Sequence, residues 1–174
     1  MHLLNAWSSF YIMTGSSAAA LIGLMFVVIT LTAGDEKLRT NPDGISTYST
    51  PLVMHFGAAF LISALFVAPW HHPLYPAIGL ALGSLYGLIY VARVSYRATR
   101  LPAYTPDLED RAWYGAVPLL AYGIVLAGAI ALPIIAAKAL FAIGAAVVML
   151  IFMGIRNAWD IVTFLAVRDS GNAD

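Results

Sequence analysis

Residues 77–100 read AIGLALGSLYGLIYVARVSYRATR, and their spacing decides how the rest of the chain is read. Gly79, Gly83 and Gly87 recur every four residues, which on a helix sets them in one shallow groove. Tyr86, Tyr90, Arg93 and Arg97 continue that side at spacings of four, three and four. Leu80, Ala81, Ser84, Leu85, Leu88, Val91 and Ala92 make the other side apolar but for one serine. A helix with one face for close packing and one for hydrocarbon suits the inside of a bilayer. The glycine face is the surface on which the other helices are expected to gather.

Composition points the same way. Of 174 residues, 61% are hydrophobic and 10% charged, against roughly 25% charged in ordinary soluble domains. With a mean hydropathy of +0.83, a water-soluble fold would expose apolar patches large enough to aggregate. The expected fold class is all-α, a polytopic membrane protein whose first partner is the lipid bilayer. Net charge is zero and no nucleic-acid motif is present, so no nucleic-acid partner is expected. The chain has no cysteine, which removes disulfides, iron–sulfur clusters, thiol catalysis and cysteine-ligated zinc together. No GxSxG, HExxH, P-loop or dinucleotide signature occurs. No cofactor or resident metal is expected.

Five spans are predicted, at about 9–33, 51–68, 77–98, 112–132 and 139–167, forming one transmembrane domain over residues 1–174. The first run lacks a preceding Lys or Arg and is too long for a signal-peptide core, so it reads as a retained span. It carries a second small-residue ridge, Gly15, Ala19 and Gly23. Thr14, Ser16 and Ser17 nearby are expected to bond helix carbonyls or a neighbouring helix. The NPDG turn and Ser49 or Thr50 before Pro51 predict a loop and an N-cap ahead of the second span. A proline-rich turn, residues 69–76, leads into the third. Asp107, Glu109 and Asp110 form an acidic group ahead of the fourth, beside its positive dipole end.

Lys37, Arg39, Arg93, Arg97, Arg100, Arg111, Arg156 and Arg168 fall on one side of this layout, and Lys138 alone on the other. By the positive-inside rule the N-terminus is outside and the C-terminus cytoplasmic, in the plasma membrane. Trp7 and Trp70 at outer ends, with Trp113 and Trp159 at inner ends, fit the same orientation.

The polar residues each carry two readings. Arg156, Asp160 and Thr163 share a face of the fifth helix, with Asn157 beside it. Lys138 to Arg156 spans about 27 Å of helix, which places Arg156 near the inner boundary. The simpler reading is a snorkelling Arg–Asp pair one turn apart. The functional one is a cytoplasmic gate or binding cluster of His55, Arg93, Arg156 and Asp160. His55, the one histidine inside a span, reads first as a residue bonded across a helix interface. It lacks a second histidine at its own depth, which argues against haem. His71 and His72 are adjacent, so they do not converge on one metal, and read as interfacial residues of the turn. Tyr86 and Tyr90, with Tyr122 opposite, read as buried rings before they read as a substrate pocket.

Three functions are carried forward. The first is an oligomeric channel or small-solute or ion transporter with a polar cytoplasmic mouth. The second is a non-catalytic accessory or assembly subunit of a larger membrane complex, and the third a lipid-acting enzyme using His55 and Asp160. One of the two small-residue ridges is expected to make a homo-oligomer contact.

Overall fold

The computed structural model describes residues 2–32, 42–98 and 112–170, all helices and short turns. A short α1 (His2–Ala6) leads into α2 (Ser8–Thr32), followed by α3 (Pro42–Val67) and α4 (Leu74–Ala98). One π-helical turn (Ala112–Ala116) then opens α5 (Val117–Ala131), and α6 (Ala136–Ser170) completes the described fold. Lys37, Arg39, Arg100, Asp107, Glu109, Asp110 and Arg111 lie outside the described residues.

Four stretches are long and apolar enough to cross a membrane: Ser8–Val27, Leu74–Tyr96, Ala112–Ala131 and Ala136–Asp160. The apolar part of α3, Val53–Val67, is shorter. Outward faces carry Leu24, Phe26, Leu61, Leu82, Ile130 and Phe141, each more than 60% exposed, a surface that only hydrocarbon solvates without cost. The chain is a helical membrane protein.

Neighbouring helices alternate in direction. Tyr11 stacks on Phe66 with ring centroids 4.4 Å apart, and Thr14 meets Ser63, while Met25 packs with Phe56 further along, so α2 and α3 are antiparallel. Tyr11 reaches Leu140 and Met25 packs beside Ala158, so α2 and α6 run parallel and α3 opposes α6. Trp7 and Trp70 therefore share one end of the bundle, and Trp113, Arg156 and Asp160 the other.

The packing hub is α6, not the glycine-rich α4. Leu140, Ile143, Ala146, Val147, Leu150 and Met153 are fully buried, forming an unbroken apolar stripe at helical spacing. Glycines set how near the other helices come to it. A Cβ on Gly128 would lie 2.5 Å from Ile143, and one on Gly154 would overlap the Phe56 ring. With no hydrophobic drive between helices in lipid, such close van der Waals approach holds the bundle together. The helical assignment of α6 continues through Gly154, and that glycine receives the Phe56 ring.

The two predicted ridges act unevenly. Gly15 is buried and presses α2 on Ser63, but Ala19 and Gly23 face outward, and nothing approaches Gly23 within 4 Å. The buried stripe of α2 is instead Tyr11, Thr14, Ala18 and Met25, which follows the 3.6-residue period more closely than a four-residue ridge. On α4, Gly79 touches Leu65 and Gly87 touches Tyr122, while Gly83 faces open space.

Two helix starts differ from expectation. α3 begins at Pro42, so Pro42 takes the first-turn place where a missing N–H costs nothing, and Pro51 lies inside the helix. The fourth predicted span starts in a π turn, because Pro118 supplies no N–H and interrupts the α-helical ladder at Tyr114.

Candidate functional site

A cleft of about 580 Å³ separates α3 from α4. That is the size of a small-molecule site, on the order of 300–1,000 Å³. α3 contributes Val53, Met54, Gly57, Ala58, Leu61, Ile62 and Leu65, and α4 contributes Gly79, Leu80, Gly83, Ser84, Tyr86 and Gly87. Gly57 and Gly83 have no atom within 4 Å of where a side chain would begin, so their missing side chains are what keeps the cleft open. Leu61 and Tyr86 stand exposed beside it, so the opening faces sideways, out of the bundle.

Tyr122 of α5 closes the cleft at its Gly87 end. Its ring lies against Gly87, and its hydroxyl shares a hydrogen bond with His55 Nδ1 at 3.2 Å. Both residues are 2% exposed. The pair ties α3 to α5 where α3 and α4 part. Ser84 is buried too, its hydroxyl donating to the Ala81 carbonyl at 3.1 Å. The walls are otherwise apolar.

The predicted gate residues share one end of the bundle. His55 is committed to Tyr122. Arg93 and Asp160 are exposed on α4 and α6. The Arg156 guanidinium lies over the Trp113 ring, 4.5 Å from its centroid, a cation–π contact that anchors α6 to the start of α5. Thr163 donates to the carbonyls of Trp159 and Asp160, so its hydroxyl is held on its own helix.

Other polar residues have structural partners. Thr14 donates to the Phe10 carbonyl at 3.0 Å and meets Ser63 Oγ at 3.0 Å, and Ser17 donates to the Met13 carbonyl. His72 Nδ1 accepts the Leu74 N–H at the start of α4. Among the described residues no three His, Cys, Asp or Glu side chains gather as a metal site. Tyr86 stands exposed at the cleft rim, Tyr90 is half-buried, and the Tyr122 ring lies against Gly87.

Asn157 is the residue that spacing alone underrated. It is 2% exposed, and neither Oδ1 nor Nδ2 has a hydrogen-bond partner among the described residues. Leaving a buried polar atom unbonded costs about 1–3 kcal/mol. Its signal was present in the sequence: Asn157 continues the apolar stripe of α6 four residues beyond Met153.

No family model, curated protein or solved structure matches this chain.

Proposed function

We propose that this chain is a five-span protein of the plasma membrane that holds an apolar, chain-like molecule taken from the bilayer in the α3–α4 cleft. In this reading the N-terminus is outside, the C-terminus is cytoplasmic and α3 is the fifth span. The observation that carries it is the cleft itself, kept open by Gly57 and Gly83 and ended by the buried His55–Tyr122 pair. An apolar pocket with a few polar groups, between helices of a bundle, is the usual form of a ligand site.

Native mass spectrometry of the purified protein tests this. The expected result is bound lipid-sized mass on the wild type, reduced about tenfold by Gly83→Leu, whose Cβ would meet nothing within 4 Å. An empty wild type, or equal loading of both, would overturn the reading.

The channel or transporter reading is supported by outward-facing Arg93 and Asp160, which would line a mouth formed between copies in a homo-oligomer. Against a pore within one copy stands the fully buried apolar stripe along α6. Liposome flux altered by Asp160→Ala would favour the channel. Stable co-purification with a second membrane protein would favour the accessory subunit.

A further inference from the structure

We infer that Ser84 receives the head of the cleft's ligand, and that this ligand is an uncharged lipid alcohol donating a hydrogen bond to Ser84 Oγ. The inference rests on the cleft being a ligand site.

Depth sets the charge of the head. Ser84 lies ten residues beyond Leu74, where the span Leu74–Tyr96 begins. That is about 15 Å of helix, half of a hydrocarbon thickness of roughly 30 Å. The cleft wall from Gly79 to Gly87 is therefore near the middle of the bilayer and not at its surface. A charged group at that depth is costly unless it is paired. Among the described residues no charged side chain lines the cleft. Phosphate, carboxylate and ammonium heads do not fit.

Hydrogen bonding sets the rest. Three side-chain hydroxyls line the cleft, those of Ser84, Tyr86 and Tyr122, and each is placed differently. Tyr86 stands at the rim, 61% exposed, and the Tyr122 hydroxyl shares a hydrogen bond with His55 Nδ1. Ser84 is 3% exposed, and its proton goes to the Ala81 carbonyl of its own helix. A serine oxygen has two lone pairs beside its one proton, so Ser84 still accepts while its donor is spent. Within hydrocarbon no water supplies that bond. A guest hydroxyl supplies it by donating its own proton, and the bond to Ala81 stays in place. An ester or ketone brings acceptors alone, and gains a bond only by drawing the serine proton off that carbonyl. An alkane gains none. Gly83, next to Ser84, has no atom within 4 Å of where its side chain would begin, so open space reaches the depth of the serine.

The test is photolabelling of the whole protein in phosphatidylcholine nanodiscs with two diazirine probes of equal chain length. One is a long-chain primary alcohol and the other its methyl ether, which keeps the oxygen and loses the donor. The readout is the alcohol-to-ether ratio of label on α3 and α4. It is expected to be about fivefold higher in the wild type than in Ser84→Ala, equivalent to about 1 kcal/mol. Ether labelling should be equal in the two, whereas a packing role for Ser84 would move both probes together. Tyr86→Phe should keep the wild-type ratio, and Gly83→Leu should lower labelling by both probes. An equal ratio in the wild type and Ser84→Ala, or a ratio that falls in Tyr86→Phe instead, overturns the serine site and leaves the cleft reading standing. Labelling that Gly83→Leu leaves unchanged overturns both.

Discussion

The Tyr122 hydroxyl and His55 Nδ1 lie 3.2 Å apart, and this one bond joins α5 to α3 at the point where α3 and α4 separate. Both side chains are buried, so neither has water to fall back on. Tyr122→Phe should therefore destabilise the bundle by about 1–3 kcal/mol, the cost of a buried group left unbonded. His55→Leu combined with Tyr122→Phe should cost less than the sum of the two single changes. Unfolding of the four proteins in one detergent measures the coupling, and strict additivity would mean the bond contributes nothing.

Gly87 and Gly83, one turn apart, should respond in opposite directions. A Cβ at Gly87 would stand 2.5 Å from the Tyr122 ring, whereas one at Gly83 meets nothing within 4 Å. Gly87→Ala is expected to cost about 1–3 kcal/mol through overpacking. Gly83→Ala is expected to gain about 0.5–1 kcal/mol from reduced backbone entropy. Thermal unfolding in detergent separates them; equal shifts would count against the open cleft.

Ser63 offers a contrast between losing a bond and adding bulk. Thr14 keeps its bond to the Phe10 carbonyl when Ser63 is shortened, so Ser63→Ala should cost only about 0.6 kcal/mol, typical of a side-chain bond in a membrane bundle. Ser63→Leu should cost about 1–3 kcal/mol, because a Cβ at Gly15 would lie only 3.0 Å from Ser63 Cβ and the two helices have no room to part. The readout is the detergent concentration of half-unfolding for each variant.

The absence of cysteine makes single-cysteine labelling clean. With five spans, Arg93→Cys and Asp160→Cys should react with an impermeant maleimide only from the cytoplasmic side. His71→Cys and Lys138→Cys should react only from outside. All four are exposed on the surface of the bundle, so none is shielded by packing against another helix. Arg93 and Asp160 reacting from opposite sides would end the five-span reading.

Asn157→Leu should raise stability by about 1–3 kcal/mol, since it removes two unbonded polar atoms from a buried position. Such a gain would identify a residue retained at a cost to the fold. A loss of stability would show that the carboxamide already has a structural partner.

Much of this fold was legible in the chain. Long apolar runs and few charges give the helical membrane class, because no other solvent accepts such a surface. The ends of the fourth and fifth predicted spans lie close to those of α5 and α6, where Pro133 leaves an unmistakable stop. The hub was harder to read. Four-residue glycine spacing says that something can come close, but it does not say what does. On α4 the partners turn out to be a leucine, nothing and a tyrosine ring. The true centre, α6, announced itself only by having no polar residue on one stripe until Asn157. Pro51 misled because proline favours a helix start wherever it occurs, and Pro42 met the same requirement nine residues earlier. Of the candidate site, His55 could be singled out as a polar residue in a span. Its bond to Tyr122 depends on which faces α3 and α5 turn to each other, and that is a property of the assembled bundle.

The mouth between Leu61 and Tyr86 opens sideways, and this changes what affinity means for the protein. On the proposed reading, a guest arriving there has already partitioned into the leaflet, so its occupancy is set by its mole fraction among lipids and not by its aqueous concentration. Two membranes bathed in the same solution but differing in composition would load the protein to different extents.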